Sequence, residues 1–278
     1  MYRSSATPAD LSITSRTLPV REHANTARWW HGGDPIATAW FNALSVTFPQ
    51  GETFFIESVR RYRDEVEPAL REQIAAFIQQ EAMHTREHVA FNKLIKQAGY
   101  DTVRMDEFTR DRLNVARTRH PIGQLAMTVA LEHFTAIMAY ALLTDADPLP
   151  GAPADVRKLW QWHAIEEIEH KSVAYDTYLA ATKGWSPRRR YFIRCKVMLL
   201  VSLLFWKANF RHMADFFRQD RMNVLGTWWR VAKYLLIHPG IVRKVFSPYI
   251  HFFRPGFHPW DHDDRALIAR WEQELPPG

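Results

Sequence analysis

Four stretches between residues 36 and 184 carry apolar residues at the three- and four-residue spacing that is typical of amphipathic α-helices. No stretch shows the alternation of period two that strands require, so the chain is predicted to be all-α. Pro35 is a good first-turn residue, and Gly99 and Gly184 follow the second and fourth stretches. The predicted helices cover residues 35–65 with an interruption or kink at Pro49-Gln50-Gly51, then 68–97, 121–144 and 154–183.

The segments between and around these helices lack the helical spacing of apolar residues. Residues 1–35 show no sustained periodicity and are predicted to form an arm of low local order. Residues 99–120 are polar, with room for one short helix, and DADPLPGAP (145–153) is a loop. The predicted organisation is an N-terminal arm (1–35), a helical bundle (36–184) and a C-terminal extension with further helices packed on the bundle (185–278).

Two of the predicted helices repeat one pattern, a Glu followed three residues later by a His. Glu81 and His84 lie in QQEAMHTREH, and Glu167 and His170 lie in HAIEEIEHKS. Residues three apart on a helix project from the same side, so each pair can present a carboxylate and an imidazole to one metal ion. A single pair of this kind is more often a solvated helix face, and the repeat is what favours metal.

Each of the other two helices offers one Glu at a comparable height. Glu132 interrupts the apolar run VALEHFTA, where an unpaired carboxylate would cost several kcal/mol. Glu52 and Glu81 both lie roughly 20 Å from the turn near Pro68, at about 1.5 Å per residue. Glu132 and Glu167 are similarly level about the 145–153 loop, and the 22 residues 99–120 are long enough to join the two hairpins.

Two helices with one Glu, two with Glu-x-x-His and one long crossover resemble the ferritin-like dimetal-carboxylate superfamily. More narrowly, FPQGE, QQEAMHTREH and WHAIEEIEHKSVAYD resemble a bacterial family labelled "predicted metal-dependent hydrolase". The resemblance implies a ferritin-like four-helix bundle that binds two metal ions. It implies bridging roles for Glu81 and Glu167, terminal carboxylates at Glu52 and Glu132, and one ion each for His84 and His170.

Four neighbouring residues are candidates for supporting roles. His88 and His163 each lie four residues from a proposed ligand, on the same side of their helix. We expect them to be proton relays or hydrogen-bonded core histidines, and a role as extra metal ligands is less favoured. Glu166 could pair with His170 in place of Glu167, because it is four residues before it. Asp176 is expected to orient a ligand histidine from behind.

Composition narrows the metal and the partners. Cys195 is the one cysteine, so no disulfide within the chain and no thiolate cluster can form. Four carboxylates and two imidazoles favour iron, with manganese or zinc as alternatives. Residues 1–184 carry a net charge of −3 and residues 185–278 a net charge of +9. No signal peptide is apparent, so we expect a cytoplasmic protein.

The basic C-terminal part admits two interpretations. Lys196 and Lys207 enclose ten uncharged residues, well short of the roughly 20 that span a bilayer. This helix is expected to cover the bundle or, alternatively, to form an interfacial helix or a substrate tunnel that contacts the inner face of the membrane. The segment 238–264 is expected to be an extended tail. No recognised motif supports nucleic-acid binding, and a homodimer is left open.

These features favour an O2-dependent dimetal oxidoreductase, preferably di-iron, that acts on a hydrophobic or amphipathic small molecule. The first alternative is a metal-dependent hydrolase in which the two ions activate water. The second alternative is a non-enzymatic metal-binding or membrane-associated protein.

Overall fold

The computed structural model describes residues 6–16, 18 and 26–274, and the predictions for the remainder of the arm and for residues 275–278 lie outside these residues. Within the described part the chain is all-helical and contains no strand, which confirms the all-α prediction. The helices are α1 (Pro35–Arg60), α2 (Pro68–Gln97), α3 (Val103–Arg117), α4 (Pro121–Leu143), α5 (Ala154–His170), α6 (Val173–Ala181), α7 (Pro187–Gln219), α8 (Val224–Leu236), α9 (Ile241–His251) and α10 (Arg265–Glu274).

Helix α1 continues through Pro49 without the interruption expected from its sequence. A proline has no N–H, so the carbonyl of Ser45, four residues earlier, loses its usual helical donor. The side-chain amide of Asn92 on α2 supplies the missing donor, with its Nδ2 at 3.0 Å from the Ser45 oxygen. A contact between two helices therefore compensates a defect that is local in sequence.

The crossover contains a helix, for which its sequence left room, and the fourth predicted helix differs from expectation. Residues 103–117 form the regular helix α3, and the stretch 154–183 divides into α5 and α6 at Lys171 and Ser172. The Lys171 ammonium donates to the carbonyl of His262 and to Asp264, and the Ser172 hydroxyl accepts from Trp260 Nε1. These C-terminal partners accompany the break, and no glycine or proline marks it in the sequence.

Helices α1 and α2 pack along each other, as do α4 and α5. The two pairs meet where α1 contacts α4 and where α2 contacts α5 and α6. The short connection 61–67 makes α1 and α2 antiparallel, so Glu52 and Glu81 reach the same level, as their positions predicted. The assignment of this core to the ferritin-like type stays a prediction.

The C-terminal helices form an outer layer, called here the α7–α9 layer and consisting of residues 187–251. Helix α7 packs on α1 and α4, α8 on α1, and α9 on α4 and α8. The expectation of an extended tail is wrong for 241–251, which form α9. Helix α4 is long and apolar enough to cross a membrane by length and composition, but 61% of its most apolar window is buried inside the protein.

The prediction of low local order is wrong for the described part of the arm next to the core. Arg16 is buried, and its guanidinium lies 2.6 Å from a carboxylate oxygen of Glu169 on α5. Trp30 is also buried and donates from its indole N–H to Asn42 Oδ1. Asn42 is 12 positions from Trp30, but Glu169 is 153 positions from Arg16, and no local periodicity can reveal so distant a contact.

Candidate metal centre

The six residues that the sequence singled out as metal ligands come together in the interior, where α1, α2, α4 and α5 meet. Their ligand atoms form two groups, and within each group the atoms lie within 4.8 Å of one another. One group contains Glu52, His84 and His163, and the other contains Glu81, Glu132, Glu167 and His170. All seven side chains are buried.

Two of the carboxylates connect the groups. Glu81 directs one oxygen to His170 Nε2 at 3.2 Å and the other towards His84 Nδ1 at 3.8 Å. Glu167 places Oε1 at 2.9 Å from His163 Nε2 and Oε2 at 3.5 Å from His170 Nε2. Each carboxylate therefore faces both groups with one oxygen apiece, which is the disposition that a bridge between two ions requires.

Eight buried ligand atoms at this point have no hydrogen-bond partner. Polar atoms in protein interiors are nearly always hydrogen-bonded, because an unpaired one loses its interaction with water and gains nothing. A cation bound by these atoms would supply the missing interactions. The eight atoms are Glu52 Oε1, both oxygens of Glu81 and of Glu132, Glu167 Oε2, His84 Nδ1 and His170 Nε2.

The electrostatics of the cluster point the same way. Burial, together with the nearby Glu81 and Glu167 carboxylates, raises the pKa of Glu52 and of Glu132 well above the usual range. Burial lowers the pKa of His170, but the surrounding carboxylates outweigh it and raise this pKa well above its ordinary value. The centre is thus short of positive charge, and two divalent cations would balance four carboxylates.

Each Glu-x-x-His histidine is oriented from behind by an oxygen acceptor. His84 donates from Nε2 to Glu166 at 3.0 Å, and His170 donates from Nδ1 to Gln80 Oε1 at 2.9 Å. A proton on the outer nitrogen leaves the inner nitrogen with a lone pair that points into the cluster. Glu166 therefore supports His84, and it is not paired with His170 as one sequence interpretation had it.

The N-terminal arm completes this supporting shell. Glu166 accepts a backbone N–H of Arg16 at 2.8 Å and the Trp162 indole N–H at 3.1 Å. Glu169 accepts the Arg16 guanidinium and the Gln80 amide, at 2.6 and 2.8 Å. The sequence offered Glu169, like Glu166, as an alternative next to Glu167, whereas Arg16 and Gln80 were missed; the run EEIEH, with three acids in a buried helix, was the available signal.

His163 and His88 belong to one hydrogen-bonded chain that starts at the cluster. His163 Nδ1 lies 2.8 Å from His88 Nε2, and His88 Nδ1 lies 2.9 Å from Ser45 Oγ. Ser45 in turn donates to Asn92 Oδ1 at 2.7 Å. Because the serine proton is used there, His88 donates to Ser45 and accepts from His163, which leaves His163 Nε2 with a lone pair.

That lone pair faces a carboxylate oxygen, Glu167 Oε1, at 2.9 Å. Burial, followed by the nearby His84, lowers the pKa of His163, which favours the neutral ring. A cation between the two atoms would make this close approach favourable. His163 is accordingly placed as a ligand candidate, the role that the sequence favoured less, and His88 is placed behind it.

Asp176 lies apart from the cluster and does not orient a ligand histidine as expected. Its carboxylate accepts from Thr7 at 2.6 Å and from His258 at 3.0 Å. It is the fourth residue of α6, after the break at Lys171–Ser172, so it does not continue the register of α5. Its contacts fasten the arm and the C-terminal segment to α6.

A cavity of about 750 Å³ leads from the cluster to the surface. His163 and Glu167 lie at its inner end, and the α8–α9 turn and the 145–151 loop line its outer part. Its walls between these points are mainly aromatic and aliphatic, formed by residues that include Trp40, Phe41, Leu44, Phe48, Met138 and Trp160. An apolar passage with polar groups at its inner end is a typical binding site for a small molecule.

A family model described as "predicted metal-dependent hydrolase" (Metal_hydrol) matches residues 14–263. The chain belongs to this family. The matched range spans both metal-ligand groups, the arm residue Arg16 and the α7–α9 layer. No match was found among curated proteins or among solved structures.

Proposed function

We propose that this protein is a hydrolase that uses two divalent metal ions, held in a ferritin-like helical core, to cleave an ester bond in a hydrophobic or amphipathic small molecule. The eight buried ligand atoms without partners carry the metal part of the proposal. The family description supports hydrolysis over the oxidation that the sequence alone favoured. The apolar cavity ending at Glu167 supports the substrate class.

The donor set of this centre fits a pair of hard or borderline ions. Glu52, His84 and His163 would hold one ion, Glu132 and His170 the other, and Glu81 and Glu167 would bridge them. Oxygen and imidazole nitrogen donors suit iron, manganese or zinc. Such ions activate water as a nucleophile and polarise the group under attack.

The protein's own residues have three tasks in this scheme. Glu166 and Gln80 fix the tautomers of His84 and His170, so that both rings present lone pairs inwards. The apolar cavity walls exclude bulk water and hold the substrate's apolar portion. The chain from His163 through His88 to Ser45 holds the His163 proton on Nδ1, away from the cluster.

Hydrolysis can be tested with chromogenic esters of increasing acyl length, using protein stripped of metal and then reloaded with manganese, zinc or iron. We expect activity in the reloaded protein, without O2, that increases with acyl length. Leu142→Trp should narrow the cavity and lower kcat/KM for long esters more than tenfold at unchanged metal content. Leu131→Trp changes a half-buried leucine of the same helix that does not line the cavity, and it serves as the matched control.

O2-dependent oxidation of the same substrate class is the second candidate. The specific observation in its favour is the set of two Glu-x-x-His pairs with one further Glu each, the ligand plan of di-iron carboxylate proteins. Anaerobic loading with Fe(II), followed by O2, distinguishes the candidates. O2 consumption coupled to substrate oxidation, with no ester cleavage under any metal, would replace the hydrolase proposal.

A further inference from the structure

The outer side of the α7–α9 layer exposes large apolar side chains that no part of the described chain covers. On α8, Leu225, Trp229 and Leu236 lie four and seven residues apart and therefore form one stripe. On α7, Phe192, Leu199 and Leu203 form a second stripe with the same spacing. Leu225 is 86% exposed and Leu203 72%, although the layer's inner side is packed on α1 and α4.

The charge of this layer is of one sign. Residues 187–251 contain thirteen Lys and Arg and only two acids, Asp215 and Asp220. Asp215 is paired with Arg218, and the Asp220 carboxylate is buried against Arg28. Exposed cations accompany the apolar stripes: Lys196 and Lys207 on α7, and Lys233 on α8. The surface thus combines exposed apolar groups with uncompensated positive charge.

The mouth of the cavity opens within the same layer. His238 of the α8–α9 turn and Ile241 and Lys244 of α9 line the cavity, and the exposed Leu236 and Ile237 immediately precede His238. The acids at the mouth each have a cation nearby: Asp145 pairs with Lys244, Asp34 with Arg230, and Asp147 lies 4.0 Å from Arg157. The entrance therefore carries no net negative charge that would repel an anionic surface.

We propose that the α7–α9 layer docks on an anionic phospholipid membrane and places the mouth of the cavity against the lipid. Amphipathic helices with leucine and tryptophan on one side and Lys or Arg beside them bind in this way, by burying apolar side chains and attracting anionic headgroups. Nucleic acid would match the charge but not the exposed leucines. The corollary that the substrate enters from the membrane rests on the proposed function, whereas the docking itself does not.

The docking is tested by co-sedimentation of the full-length, metal-loaded protein with vesicles. Vesicles of phosphatidylcholine alone are compared with vesicles that contain one third phosphatidylglycerol. We expect at least tenfold tighter binding to the anionic vesicles and weaker binding as salt is raised. Leu225→Glu/Trp229→Glu should weaken binding at least tenfold, and Leu199→Glu/Leu203→Glu should do the same for the second stripe.

Val89→Glu is the matched control, because Val89 is an exposed apolar residue on α2, which packs on α1, α5 and α6. Circular dichroism checks that every variant is folded. Equal binding by Leu225→Glu/Trp229→Glu and Val89→Glu would overturn the proposal. So would wild-type protein that ignores anionic vesicles, that binds duplex DNA instead, or that buries this layer in a dimer separated by the α8 substitutions.

The membrane and catalytic proposals fail separately. With a water-soluble short-chain ester, Leu225→Glu/Trp229→Glu should retain wild-type activity, because neither residue lines the cavity. With an ester embedded in anionic vesicles, its activity should fall at least tenfold. Vesicle binding without hydrolysis of any ester would refute the hydrolase alone, and hydrolysis without vesicle binding would refute the docking alone.

Discussion

Replacing Glu132 by glutamine should change stability in opposite directions with and without metal. Glu132 is buried, neither of its oxygens has a hydrogen-bond partner, and its pKa is raised by burial and by the carboxylates of Glu81 and Glu167. Without metal, the isosteric amide removes a charge that the folded state disfavours. With metal, it removes a ligand from the group that also contains His170.

The magnitudes follow from the size of the protein. For 278 residues, the entropy of unfolding is about 0.6 kcal/mol per kelvin. Relief of about 1–3 kcal/mol in the metal-free protein would raise Tm by about 2–5 °C. A bound ion at roughly a thousand times its Kd stabilises by about 4 kcal/mol, so loss of that ion would lower Tm by about 7 °C relative to loaded wild type.

The assay is thermal unfolding followed by circular dichroism, combined with metal analysis after dialysis. Because the proposed ligands hold two ions, wild type should retain about two ions per chain, and Glu132→Gln should retain about one. Glu87→Gln is the control, because Glu87 is a buried carboxylate of α2 that hydrogen-bonds to Arg86. An unchanged ion count in Glu132→Gln, or a metal-free variant less stable than metal-free wild type, would refute the charge argument.

Three further predictions concern residues outside the ligand set. Arg16→Met should lower the free energy of unfolding by about 3–5 kcal/mol in denaturant titrations, since it leaves Glu169 buried without its cation, and adding Glu169→Gln should restore part of the loss. Asn92→Ala should cost about 1–3 kcal/mol, and less in a Pro49→Ala background, where the backbone N–H at residue 49 replaces the lost donor and only the bond from Ser45 Oγ to Asn92 is still lost; equal costs in both backgrounds would contradict this account of α1. Burial lowers the pKa of His212 from 6.5 to about 4. As pH falls from 6.5 towards 4, His212 is therefore protonated in the unfolded chain but not in the folded one, and the free energy of unfolding decreases. His212→Asn should remove about 3 kcal/mol of that decrease, measured by denaturant unfolding across this pH range.

The parts of the centre that depend on helical periodicity could be predicted from the sequence. The three-residue spacing of Glu81 and His84 determines that both side chains leave the same side of α2, whatever the helix packs against. Glu132 within an apolar run signals a buried carboxylate that needs a partner. The level positions of Glu52 and Glu81 follow from helix rise and a short turn alone.

Contacts between distant segments decided the rest. The register of α5 against α2 brings His163 towards Glu52 and His84, and a different rotation of either helix would have left it a core histidine. The pairing of Glu166 with His84 and of Arg16 with Glu169 joins segments 82 and 153 residues apart. Such partners cannot be read from any local window.

The amino-acid sequence by itself therefore determined the helical class, the Glu-x-x-His pairs and the basic character of the C-terminal part, because spacing and composition are properties of short segments. The tertiary structure decided that α1 runs through Pro49, that the arm enters the supporting shell through Arg16, and that an apolar cavity connects Glu167 to the α8–α9 turn. These features arise where helices cross, and the free energy of a crossing depends on side chains from both partners.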